Sequence, residues 1–78
     1  MNTENPAADL KRQIFGRNVA RMRARAALTQ EQLAEKANID RSQVQRIENG
    51  TSSPTVETAT RLKRSLRCSW KELLAGLD

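Results

Sequence analysis

The stretch that decides the fold is LTQEQLAEKANIDRSQVQRIENG, residues 28–50. Thr29-Gln30-Glu31-Gln32 has the form of a capping box, in which the Thr hydroxyl and the Gln side chain each satisfy an otherwise orphan backbone N–H. A helix starts there, and its apolar positions, Leu33, Ala34 and Ala37, predict an end near Lys36 or Ala37. Asn38-Ile39 makes a tight link, and Asp40-Arg41-Ser42-Gln43 reads as a second box of the same kind, opening a helix over residues 40–49. Gly50 terminates that helix as a left-handed cap, and Thr51-Ser52-Ser53-Pro54 is a loop.

The helix over 40–49 carries only Val44 and Ile47 as inward residues, at i and i+3, while Arg41, Ser42, Gln45, Arg46 and Asn49 point elsewhere. So little apolar surface suits a helix packed on one narrow side, with the rest presented to a partner.

Working outward, Asn5-Pro6 reads as an N-cap followed by Pro at the first helical position, with Asp9 in the first turn. That helix is expected to run to about Ala26. Leu10 and Ile14 form one apolar pair; Phe15, Val19 and Met22 form a stripe that faces a core; Arg12, Arg17, Arg21 and Arg25 make a solvated basic face. Downstream, a fourth helix over 55–66 has Val56, Ala59, Leu62 and Leu66 on one face and Arg61, Lys63 and Arg64 outside. Ser69-Trp70-Lys71-Glu72 repeats the capping-box logic and opens a last helix with Trp70, Leu73, Leu74 and Leu77 as its apolar residues. No strand pattern or Gly-rich phosphate loop occurs. The fold class expected is all-α with five short helices: a flexible N-terminal extension over 1–8, with Met1 to Glu4 unordered, then one domain over 9–78.

Composition narrows the function. Fourteen Lys+Arg against nine Asp+Glu give a net charge of +5 over 78 residues, which favours a polyanionic partner. Arg supplies most of the positive charge, and its bidentate hydrogen bonding to phosphate and guanine leans towards nucleic acid. With one Cys, Cys68, and no His, neither an internal disulfide nor a Cys/His zinc site can form, so no metal or cofactor is expected. No run approaches membrane-spanning length, and a soluble protein of the bacterial or phage-infected cytoplasm is expected. Nothing resembles a catalytic constellation, because Glu31, Asp40 and Glu72 are accounted for by helix starts.

Two short helices joined by about four residues, the second polar and rich in amides and Arg, make a helix-turn-helix unit. Here the chain resembles the phage-repressor and Cro-like, Xre-type, helix-turn-helix regulators with the lambda-repressor-like fold. The resemblance rests on FGRNVARMR, on the stretch over 28–50, on Ser53-Pro54 and on SWKELL, in order and spacing. It implies a transcription regulator whose partner is double-stranded operator DNA. Arg41, Ser42, Gln45 and Arg46 would then be base-facing, with Arg41 and Ser42 deepest in the groove. Gln30 would bond a phosphate, Asn49 with Thr51 and Ser52 a second phosphate run, and Arg17 or Arg21 the DNA backbone. Arg23 and Glu48 match a scaffold salt bridge between the first and third helices.

Three departures stand out. Ala27 and Arg67 occupy turns where the family usually has Gly, so each either accepts a left-handed conformation at a cost of roughly 1 kcal/mol or reshapes its turn. Lys63 stands where a small or apolar residue is common, and Cys68 takes an aliphatic core position.

The family binds half-sites about one DNA turn apart as twofold dimers, and Trp70, Leu73, Leu74 and Leu77 are the expected homodimer interface. The alternative is that only Leu77 is exposed. A repressor or activator of its own operon, such as the controller protein of a restriction-modification system, is the leading reading. An antitoxin with a toxin protein as partner is the second, and a protein adaptor that has abandoned DNA the third. RNA polymerase is a further candidate partner of a regulator.

Overall fold

The computed structural model describes residues 6–77, which form α1 (Pro6–Arg25), α2 (Gln30–Ala37), α3 (Arg41–Glu48), α4 (Val56–Leu66) and α5 (Trp70–Leu73). No strand occurs among the described residues. The readings made for Met1 to Glu4 and for Asn5 as a cap lie outside them. Residues 6–8, assigned above to the extension, already form the first turn of α1.

Four helix ends share one device. After α1, α2, α3 and α4 the chain closes with a backbone bond five residues back: Leu28 to Arg23, Ile39 to Ala34, Thr51 to Arg46 and Cys68 to Lys63, at 3.0–3.3 Å. Each closure needs a left-handed residue, and these are Ala27 (φ 58°), Asn38 (φ 57°), Gly50 (φ 77°) and Arg67 (φ 53°). Ala27 and Arg67 therefore take the left-handed turn despite carrying a Cβ, rather than reshaping it.

The starts are less uniform. Thr29 and Ser69 form complete capping boxes with Gln32 and Glu72. Asp40 sits at the N-cap of α3 with extended backbone, but its side chain makes no cap bond. The expected box there is corrected to a positional cap, so α3 is held by its neighbours rather than by its own start.

Phe15, Val19 and Met22 of α1, Leu33, Ala34 and Ala37 of α2, Val44 and Ile47 of α3, Leu62 and Leu66 of α4, Cys68 and Leu73 form one buried cluster. α1 packs on α3, α4 and α5, and α2 packs on α3 and α4. Two expectations fail at the margin of this core. Val56 is 83% exposed, because it occupies the first turn of α4, beyond the reach of the cluster. Leu73 is fully buried, so it serves the monomer's core and cannot belong to an interface.

Candidate nucleic-acid interface

Val44 and Ile47 have no exposed surface and lock one side of α3 into the core. At about 100° per residue, Arg41, Ser42, Gln45, Arg46 and Asn49 then fall within an arc of about 140° on the other side. All five are exposed. Among the described residues, no hydrogen bond or ion pair engages the side chains of Arg41, Ser42, Gln45, Arg46 or Asn49. The exposed face of α3 thus holds two uncompensated guanidiniums flanked by amide and hydroxyl groups.

Around this face the supporting groups are engaged. Arg23 Nε donates to Glu48 Oε2 at 2.7 Å and Nη2 to Oε1 at 3.0 Å, while Nη1 caps the Leu28 carbonyl at 2.9 Å. The pair raises the Arg23 pKa further, through its hydrogen bond to Glu48. Gln30, the first residue of α2, donates Nε2 to Glu48 Oε1 at 2.9 Å. Between the starts of α2 and α3 lies an open depression of about 440 Å³ lined by Arg23, Thr29, Gln30, Glu31 and Arg41.

On the far side of α3, Thr51 is exposed and Ser52 half-buried. The Thr51 hydroxyl donates to the Arg46 carbonyl at 3.2 Å. The basic face of α1 divides into two. Arg12 pairs with Asp9, and Arg25 donates to Glu72 at 2.6 Å, so both are committed. Arg17 is exposed without a partner among the described residues, and Arg21 spends one donor on Asn18 Oδ1 at 2.8 Å.

Sequence reasoning missed two residues of α1. Asn18, only 3% exposed, donates both amide hydrogens, to the Leu73 carbonyl at 2.8 Å and the Ala75 carbonyl at 2.9 Å, so it ties the end of α5 to α1. A signal was present: Asn18 stands three residues after Phe15 and four before Met22, on the apolar stripe. Gly16 is buried where α1 crosses the end of α3. A helix-interior Gly costs close to 1 kcal/mol against Ala, and that cost is a hint of close packing.

A second surface lies on α5 and the start of α4. Trp70 is 40% and Leu74 42% exposed, and Leu77 is half-buried. A depression of about 390 Å³ between α1, the start of α4 and the chain after α5 includes Phe15, Pro54, Val56, Ala59, Leu74 and Leu77 in its lining. The Lys63 ammonium lies over the Trp70 ring, with Nζ 5.7 Å from its centroid, a cation–π contact on the exposed face of the indole. Burial raises the pKa of the Cys68 thiol, which keeps it protonated as a small apolar group.

The model of the helix-turn-helix family matches residues 19–73, most of the chain and all of α2, α3 and α4. The chain belongs to the helix-turn-helix family. That family is one of DNA-binding transcription regulators rather than of enzymes, and the Xre-like resemblance holds. A similar relative is an uncharacterised HTH-type transcriptional regulator, y4dJ, of Sinorhizobium fredii, 33% identical over 67 residues, covering 86% of this chain and 87% of that one. Among solved structures, this helix-turn-helix protein superposes on the restriction-modification controller protein C.AhdI from Aeromonas hydrophila. The TM-score is 0.80 at 28% identity, covering 83% of this chain and 94% of that one. No helix among the described residues is long and apolar enough to cross a membrane.

Proposed function

We propose that this helix-turn-helix protein regulates transcription, of its own operon in the first instance, by binding a twofold-symmetric operator as a homodimer. The observation that carries the reading is the exposed, unpartnered face of α3: Arg41, Ser42, Gln45 and Arg46 opposite the buried Val44 and Ile47. Such a helix fits the major groove, where Arg reads guanine and Gln reads adenine by paired hydrogen bonds. Gln30, Asn49, Thr51, Ser52, Arg17 and Arg21 are the phosphate contacts, which set affinity and register without choosing sequence. Likeness to a restriction-modification controller protein supports a role in which the protein's own concentration is the signal.

Dimerisation rests on the second surface. Trp70, Leu74 and Leu77 are the interface residues, with Val56 extending the patch onto α4. Leu73 is left out, being spent on the core. A chain of 78 residues gains stability by covering this patch with a second copy.

Footprinting of DNA upstream of the protein's own coding sequence at several salt concentrations tests the reading. A twofold-symmetric footprint whose affinity falls steeply with salt is expected. Absence of binding to any duplex would overturn it, and a monomer that captures a small toxic protein through the Trp70–Leu74 face would favour an antitoxin instead.

A further inference from the structure

The Glu48 side chain is only 7% exposed and gathers donors from distant points of the chain. Arg23 of α1 contributes two bonds, at 2.7 and 3.0 Å, and Gln30 of α2 one, at 2.9 Å. Arg23 alone neutralises the carboxylate, by a fork of two parallel bonds. The third bond, from a neutral amide, is not needed for charge balance, and its consequence falls on Gln30. A Gln side chain has three rotatable bonds and a flat amide with two donors and one acceptor. With one N–H committed to Glu48, the amide loses much of its rotational freedom and keeps its second N–H and Oε1 for another partner. Gln30 also lines the depression between the starts of α2 and α3, as does Arg41.

We infer that Glu48 is a positioning residue for DNA binding: it holds the Gln30 amide in the orientation in which its remaining N–H meets a phosphate. Glu48 itself touches no nucleic acid. Its side chain is turned into the scaffold, and Arg23 removes the charge that would otherwise repel the phosphate. The hub also ties three elements together, so the phosphate contact at the start of α2 and the register of α3 are set by one carboxylate. The inference rests on the reading of Gln30 as a phosphate ligand.

A double-mutant cycle on Gln30 and Glu48 tests it. The probe is a fluorescently labelled mixed-sequence duplex of about 20 base pairs at low salt, because a phosphate contact acts on any sequence. Gln30→Ala is expected to weaken binding about tenfold, and Glu48→Ala to weaken it by up to the same factor while Gln30 is present. In the Gln30→Ala background, Glu48→Ala should add little, because nothing remains to be positioned. Glu48→Gln keeps an oxygen acceptor for Gln30 and should restore most of the binding lost in Glu48→Ala. A readout without DNA is the Gln30 side-chain amide in a ¹⁵N NMR spectrum: the hydrogen bonded to Glu48 should be shifted from its free-amide position in the native protein and in Glu48→Gln, and return to it in Glu48→Ala. Additive losses in the cycle, or an amide signal indifferent to Glu48, would overturn the inference and leave Gln30 as a phosphate ligand. No effect of Gln30→Ala on binding would overturn both.

Discussion

Gly16 of α1 and Ile47 of α3 are in backbone contact: a Cβ on Gly16 would lie 2.3 Å from the Ile47 carbonyl oxygen, with the Glu48 carbonyl oxygen at 2.8 Å. The two helices cross at their backbones, which brings the end of α3 against α1 and lets Arg23 reach Glu48. Gly16→Ala must push α3 away, and overpacking of this kind costs about 2–3 kcal/mol. In a domain of this size that lowers the melting temperature by roughly 10–20 °C. Thermal unfolding followed by circular dichroism measures it, and an unchanged melting temperature would contradict the backbone contact.

Ala27 and Arg67 predict the opposite sign. Both hold left-handed backbone with a Cβ present, at φ 58° and 53°. Ala27→Gly and Arg67→Gly should each stabilise the fold by up to about 1 kcal/mol. Both positions are exposed, so little packing is lost. Urea midpoints of the single and double variants would read this, and the two gains should add because the sites lie at separate turns.

Neighbouring leucines at the end of α5 should separate folding from the proposed assembly. Leu73→Ala removes a fully buried side chain and should cost about 2–5 kcal/mol. Leu74→Asp and Val56→Asp change exposed side chains and should leave the melting temperature of the isolated chain nearly unaltered. For the proposed homodimer, sedimentation velocity should show both variants shifted towards monomer relative to the native protein. A Val56→Asp protein that still dimerises with native affinity would remove α4 from the interface.

The acid limb of stability should carry the mark of Glu72. Hydrogen bonds from Arg25, then from the Ser69 backbone, lower its pKa from the usual 4.5 to about 2. Because the folded-state value is depressed, the carboxylate's contribution is complete above its unfolded pKa and disappears as pH falls from about 4.5 to about 2. Native protein and Glu72→Gln should therefore differ in melting temperature at pH 6 and converge towards pH 2. The difference should be modest, since the pair is exposed.

Base and phosphate readers should respond differently to operator mutation. Arg41→Ala should lose about 1–3 kcal/mol of discrimination at one base pair, whereas Asn49→Ala should weaken every site about equally. Titration of an operator series carrying single base changes separates the two. Uniform weakening by Arg41→Ala would assign Arg41 to the phosphates.

Much of this protein is legible in one dimension, because helix starts, inward stripes and left-handed ends are local events. The capping boxes at Thr29 and Ser69, the Phe15, Val19 and Met22 stripe, and the Val44 and Ile47 anchor of α3 each depend on residues within about two turns of one another. Those local rules determined five helices in order, and with them which side chains of α3 must face outward. The Asp40 box failed because a cap bond depends on a side-chain rotamer that short-range sequence only permits.

Tertiary structure decided everything that depends on how the helices meet. Val56 faces solvent because α4 begins before it reaches the core, and Leu73 is buried while Leu74 is exposed because Asn18 draws the end of α5 onto α1. Gly16 acquires its meaning from a carbonyl thirty-one positions away, and Gln30 from a carboxylate on another helix. The physical reason is range: hydrogen bonding within a helix is satisfied by near neighbours, whereas close backbone approach and buried polar partners are set by which surfaces meet when the helices pack. The sequence alone thus determined the helices and the outward face of α3, and only their packing decided which leucine is core, which is exposed, and what holds Gln30 in place.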